Sequence, residues 1–126
     1  WRTVPLKALI ITAHGSRKQS SNDEVISLVK KFDRETQHGF DFVVCAYMQL
    51  ATPDLDHQID LLAGQGVKKM VVFPFFIGSG SHITTDIPNL IDNAKKRHPD
   101  VEIVMTIHLG RLEDIENIIL NEVKKY

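Results

Sequence analysis

Four short runs rich in apolar and β-branched residues, at 6–13, 40–48, 70–77 and 101–107, restrict this chain to few folds. Each run is apolar almost throughout instead of at alternate positions. That is the habit of strands buried on both faces, as in a parallel sheet. Amphipathic segments lie between them. Ser21-Asn22-Asp23-Glu24 has the form of a capping box and predicts a helix that buries Val25, Ile26, Val29 and Phe32, with Gly39 as its left-handed stop. Thr52-Pro53 reads as an N-cap followed by proline at the first helical position, opening a helix with Leu55, Ile59 and Leu62 on one face and a break at Gly64-Gln65-Gly66. A third helix carries Ile87, Leu90, Ile91 and Ala94 and ends before Pro99; a fourth carries Ile115, Ile118, Ile119 and Val123. Strand and helix alternate four times, and right-handed crossovers then give an α/β fold, a doubly wound four-stranded parallel sheet flanked by helices. The expected strand order is 2-1-3-4, a flavodoxin-like sheet short of its fifth strand.

The connections are short and no linker, low-complexity segment or internal repeat interrupts them, so residues 1–126 are expected to form one domain. The chain opens on Trp1 instead of Met, which suggests a few preceding residues. No apolar stretch is long enough for a signal-peptide core or a membrane span, and the expected compartment is the cytoplasm. The lone Cys45, inside an apolar run, reads as a buried core thiol. A net charge of −1 lacks the basic footprint of a nucleic-acid partner.

In a doubly wound sheet, ligands bind beyond the carboxyl ends of the strands where the winding reverses, here between strands one and three. His14-Gly15-Ser16-Arg17-Lys18 follows the first run and Gly78-Ser79-Gly80-Ser81-His82 the third. Neighbouring strands lie about 5 Å apart, so His14 and His82 can converge on one ion. Imidazole suits Co, Ni, Zn, Cu and Fe(II) and serves Mg or Ca poorly. His108 follows the fourth run, at the same edge but one strand further out. His57 reads as part of a solvated helix face, while His38 and His98 sit at helix ends, where a cation favours the dipole. The Gly78–Ser81 loop reads either as an anion-binding nest of backbone N–H groups or as a mobile turn whose hydroxyls cap the next helix. Arg17 and Lys18 could hold carboxylates close to His14. Tyr47, Met48, Phe75, Phe76 and Ile77 carry apolar character to the mouth of the site, which suits a flat ligand or a partner subunit as well as core packing.

Ala13-His14-Gly15-Ser16-Arg17, the helix start at Pro53, Pro74-Phe75-Phe76-Ile77-Gly78-Ser79-Gly80-Ser81-His82-Ile83-Thr84-Thr85-Asp86-Ile87-Pro88, Arg97-His98-Pro99 and Leu109-Gly110 occur in an order that resembles the short, single-repeat CbiX-type sirohydrochlorin cobaltochelatases, which are class II chelatases. The resemblance implies a lyase that inserts a divalent metal into a tetrapyrrole such as sirohydrochlorin, in cobalamin- or sirohaem-type biosynthesis, without a nucleotide. The metal is substrate: Co²⁺ first, with Ni²⁺, Fe²⁺ and Zn²⁺ as other candidates. It implies a homodimer that holds the macrocycle in the cleft between subunits. The family's metal-binding histidines map onto His14 and His82, and Arg17, Ser79, Ser81 and Thr84 are the candidates for gripping substrate carboxylates. The chain departs from the family at Gln49 and Thr52, where relatives commonly carry acids. Gln49 and His108 are therefore the candidate auxiliary ligands, and a metal or tetrapyrrole carrier on the same fold is the alternative to an enzyme.

Overall fold

The computed structural model describes residues 4–34 and 38–126. Its four strands are β1 (Leu6–Ala13), β2 (Phe42–Tyr47), β3 (Val67–Pro74) and β4 (Glu102–Met105), all parallel and ordered β2-β1-β3-β4. This is the expected doubly wound sheet. The helices are α1 (Gln19–Arg34), α2 (Leu55–Gly64), α3 (Ile87–Arg97) and α4 (Ile115–Val123). A π-helical turn, His82–Asp86, leads into α3, and a 3-10 turn, Leu109–Arg111, precedes α4.

The strands bury both faces, but unequally. Ala8, Ile10, Met70, Val72 and Ile103 pack with Leu55, Ile59 and Leu62 of α2 and with Ile87, Ile91 and Ala94 of α3 in the larger core. On the opposite face Ile11 and Val43 meet Val29 of α1, with Leu9, Phe40, Cys45 and Phe75 at the margin. Cys45 was expected to be a buried core thiol; it is only half-buried, because it sits at the margin of this smaller core.

Several expected boundaries move, each for a local reason. Helix α1 begins at Gln19, two residues before the supposed capping box, because Ser16 Oγ accepts the Lys18 N–H (3.0 Å) and fixes the chain upstream of Ser21. Gly39 does take a left-handed φ of 83°, but residues 35–37, between the end of α1 and this stop, lie outside the described residues, as does Trp1. Helix α2 is capped by Asp54, whose Oδ1 accepts the His57 N–H at 2.8 Å. Thr52-Pro53 is a cis peptide in the preceding loop, and the Pro53 carbonyl accepts the Tyr47 N–H (2.9 Å). Strand β3 spans Val67–Pro74, not 70–77: Lys68 and Lys69 enter the sheet paired with Asp100 and Glu102, and β3 stops at Pro74. Helix α4 forms where expected, yet none of its residues is buried. No helix among the described residues is long and apolar enough to cross a membrane.

Candidate functional site at the carboxyl edge of the sheet

The parallel register sets Ala13 of β1 opposite Tyr47 of β2 and Thr12 opposite Pro74 of β3, so three loops leave the sheet side by side. Hydrogen bonding between β1 and β2 continues past their ends. The Met48 N–H donates to the Ala13 carbonyl (2.9 Å) and the Gln49 N–H to the His14 carbonyl (3.0 Å). This tie holds Gln49 beside His14, and Gln49 Nε2 donates to His14 Nε2 at 2.7 Å. The approach needs Gly15: its φ is +93°, and a Cβ there would lie 1.9 Å from the Gln49 carbonyl oxygen.

The loop after β1 is fixed from below by Asn22, a buried polar residue of α1. Asn22 Oδ1 accepts the Ser16 N–H (3.0 Å) and its Nδ2 donates to the Ser16 carbonyl (2.8 Å). Tyr47 Oη then donates to the Asn22 carbonyl at 3.0 Å. Burial, with Cys45 alongside, pushes the Tyr47 phenol well above its usual range, so it stays a donor.

The π-helical turn brings His82 from the β3 side. Its ring centroid lies 5.0 Å from that of His14, with the planes tilted by 59°. The Phe76 ring centroid lies 5.8 Å from that of His82, with the planes tilted by 40°. His82 Nδ1 donates to Asp86 Oδ2 at 2.9 Å across one turn. A carboxylate on one ring nitrogen fixes the tautomer and leaves Nε2 with its lone pair for an ion. Leu50, next to Gln49, and Ile77, next to Phe76, are exposed, and Leu50 has φ 63°, strained for a leucine. Two imidazoles inside an apolar rim can therefore hold a divalent ion against a flat, hydrophobic molecule while keeping coordination positions open. Among the described residues no third His, Cys, Asp or Glu joins them as a potential metal cluster.

The other sequence-derived candidates are spread around this pair. Arg17 is exposed and lines a polar recess of about 200 Å³ with Ser16, Gln19 and Thr52. Ser79 and Ser81 are exposed on the loop before His82, and Thr84 Oγ1 donates to the Gly80 carbonyl (3.2 Å). His108 is buried, and among the described residues its ring makes no hydrogen bond to His14 or His82. Its carbonyl accepts the Arg111 N–H (3.0 Å). His57 is exposed, while His98 Nε2 bonds Asp60 Oδ1 at 2.6 Å, outside the site. Asp86 was not singled out from sequence. The signal that could have found it is its place four residues after a candidate ligand, one helical turn away.

The family described as CbiX matches residues 8–126. The chloroplastic sirohydrochlorin ferrochelatase of Arabidopsis thaliana is 39% identical over 102 residues, which span 81% of this chain but 44% of that protein. The chain thus spans less than half of that relative. The sirohydrochlorin cobaltochelatase of Methanothermobacter thermautotrophicus is 29% identical, with 95% of this chain and 92% of that protein covered. Among solved structures, a cobalamin (vitamin B12) biosynthesis CbiX protein from Marinobacter aquaeolei superposes with a TM-score of 0.79 at 28% identity, covering 94% of this chain and 95% of the other.

Proposed function

Because the chain belongs to the CbiX family, we propose that it is a one-domain chelatase that inserts a divalent cation, Co²⁺ in the first instance, into a tetrapyrrole of the sirohydrochlorin class. The observation that carries this reading is the His14–His82 pair, 5.0 Å apart at the switch point of the sheet. Insertion replaces two pyrrole N–H protons by one M²⁺, so the site must strip water from the ion and receive two protons. Neutral imidazoles serve both needs near neutral pH. His14 and His82 hold the ion, and the Asp86 carboxylate stabilises His82 whenever that ring takes a proton. Leu50, Phe76 and Ile77 offer the macrocycle an apolar bed. Arg17, Ser79, Ser81 and Thr84 meet its carboxylates. Two copies of the chain form the cleft, each lending one half.

Gln49 favours a second reading, a metal or tetrapyrrole carrier. Its amide occupies His14 Nε2 and brings no negative charge to a dication. The deciding experiment follows the absorption spectrum of sirohydrochlorin with Co²⁺, Ni²⁺ or Fe²⁺ in the presence of wild type, His14→Ala and His82→Ala. Chelatase function requires acceleration by wild type that both substitutions remove. Tight metal binding without acceleration by wild type makes the protein a carrier, and Gln49→Glu gaining insertion activity would locate the reason.

A further inference from the structure

The two imidazoles are held in different ways. His82 is fixed through its ring, by the Asp86 carboxylate on Nδ1. Among the described residues no carboxylate bonds the His14 ring, whose partner is the amide of the exposed Gln49. The place of His14 therefore depends on its backbone. On one side the His14 carbonyl accepts the Gln49 N–H (3.0 Å). On the other side the chain turns at Gly15 and reaches Ser16, and both peptide groups of Ser16 are taken by a single side chain of α1.

That side chain is Asn22, only 5% exposed. Its Oδ1 accepts the Ser16 N–H and its Nδ2 donates to the Ser16 carbonyl, so one amide serves a donor and an acceptor on one residue. Aspartate has the same shape but as a carboxylate offers acceptors alone, and it would set a negative charge against the Ser16 carbonyl. An apolar residue would leave two part-buried peptide groups without these partners, which costs more than the bonds themselves contribute. Tyr47 seats Asn22 in turn. Its phenol, 2% exposed, donates to the Asn22 carbonyl, and in the sheet Tyr47 lies opposite Ala13, the residue before His14. The contacts close a circuit: Ala13 to Ser16 along the chain, Ser16 to Asn22, Asn22 to Tyr47, and Tyr47 back to Ala13 across the sheet. His14 is the exposed member of that circuit.

We infer that Asn22, seated by Tyr47, is the positioning residue for His14, as Asp86 is for His82. The inference rests on the chelatase reading for what His14 binds and adds the groups that keep its imidazole facing the shared ion. The 5.0 Å between the ring centroids leaves little room for drift, since an error of about 1 Å at a reacting centre can cost about 100-fold. Each imidazole has its own support, one from α1 and β2, the other from the turn that leads into α3. Disturbing Asn22 should then disable His14 and spare His82.

The test places Asn22→Asp and Tyr47→Phe in the full chain, the first removing the amide donor and the second only the Oη. Metal-free samples with isotope-labelled histidine report both rings by NMR, and Co²⁺ titrated into the same samples gives the affinity. In each variant the His14 ring signals are expected to move or broaden while those of His82 hold their wild-type positions. Asn22→Asp should weaken Co²⁺ binding about 10-fold, and the loss should vanish when the titration is repeated in a His14→Ala background. A residue that merely supports the fold would disturb both rings and would cost affinity in that background too. Either result overturns the positioning role, as do unchanged His14 signals in a folded variant. Should Asn22→Asp fail to fold, Tyr47→Phe carries the same measurements. If wild type binds no Co²⁺, the chelatase reading falls, while the ring signals still decide whether Asn22 and Tyr47 place His14.

Discussion

Replacing Asp86 by Asn tests the site at the point where the structure says most about its chemistry. The carboxylate accepts from His82 Nδ1 at 2.9 Å, which leaves Nε2 as the atom that would meet a metal under the proposed function. Asn keeps the shape but not the charge, and its amide can turn to donate to Nδ1, which moves the ring proton to Nε2 and blocks it. A hydrogen bond to a charged group contributes about 1.5–3 kcal/mol. The Asp86 side chain is 45% exposed, and water screens part of that. About 1–2 kcal/mol remains, which corresponds to Co²⁺ affinity weakened about 5- to 30-fold, near the usual cost of losing a partner behind a metal-bound histidine. Titration calorimetry of Co²⁺ with wild type, Asp86→Asn, His82→Ala and the double variant measures it. If Asp86 acts through His82, Asp86→Asn costs nothing further once His82 is gone. A loss below twofold in wild type, or an equal loss in the His82→Ala background, refutes the reasoning.

Gly15→Ala is expected to destabilise by about 3 kcal/mol, from left-handed strain and the clash with the Gln49 carbonyl. Thermal unfolding followed by circular dichroism should show a Tm lower by about 10–15 °C. Thr12→Val should stabilise by about 1 kcal/mol, because Thr12 Oγ1 is buried with no hydrogen-bond partner among the described residues and valine has the same shape; a rise in the urea midpoint checks it. Asp60 is held below the usual carboxylate range of 3.8 chiefly by its hydrogen bond to His98, with Arg97 assisting. A lowered carboxyl contributes stability above its unfolded pKa and loses it as pH falls through the folded value. Asp60→Asn should therefore cost under about 1 kcal/mol at pH 7, and the gap in urea midpoints should close as the pH falls below the usual carboxylate value and through the lowered one.

The sheet was legible because burial on both faces writes a continuous apolar run, and four such runs with helical segments between them leave little choice of topology. The ends of the runs were less legible. Lys68 and Lys69 belong to β3 although they are charged, because their partners Asp100 and Glu102 come from the far side of α3. Likewise, the starts of α1 and α2 were set by Ser16 accepting the Lys18 N–H and by Asp54 accepting the His57 N–H, neighbours of the residues that the Ser21 and Thr52-Pro53 motifs pointed to. His14 and His82 could be paired from strand order alone. Asp86 was missed although it stands four residues after His82, because that spacing pairs the two only where a helical turn forms over His82–Asp86. The apolar stripe of α4 was visible, but a period shows only that a face needs cover and not which surface supplies it.

The same geometry bears on how metal could be held and then given up. A delivering site must bind the ion well enough to strip its water, yet more weakly than the macrocycle that receives it. Two imidazoles with open positions fit that intermediate demand, whereas a closed four-ligand set would compete with the product. The Gln49 amide pushes the balance further toward release, because an ion reaching His14 Nε2 must first displace the 2.7 Å hydrogen bond already there. An acid at that position would instead contribute charge to the dication. On the chelatase reading, Gln49 would weaken capture at His14 and leave His82 and its Asp86 partner untouched, so loading of the metal would be the step most exposed to this residue.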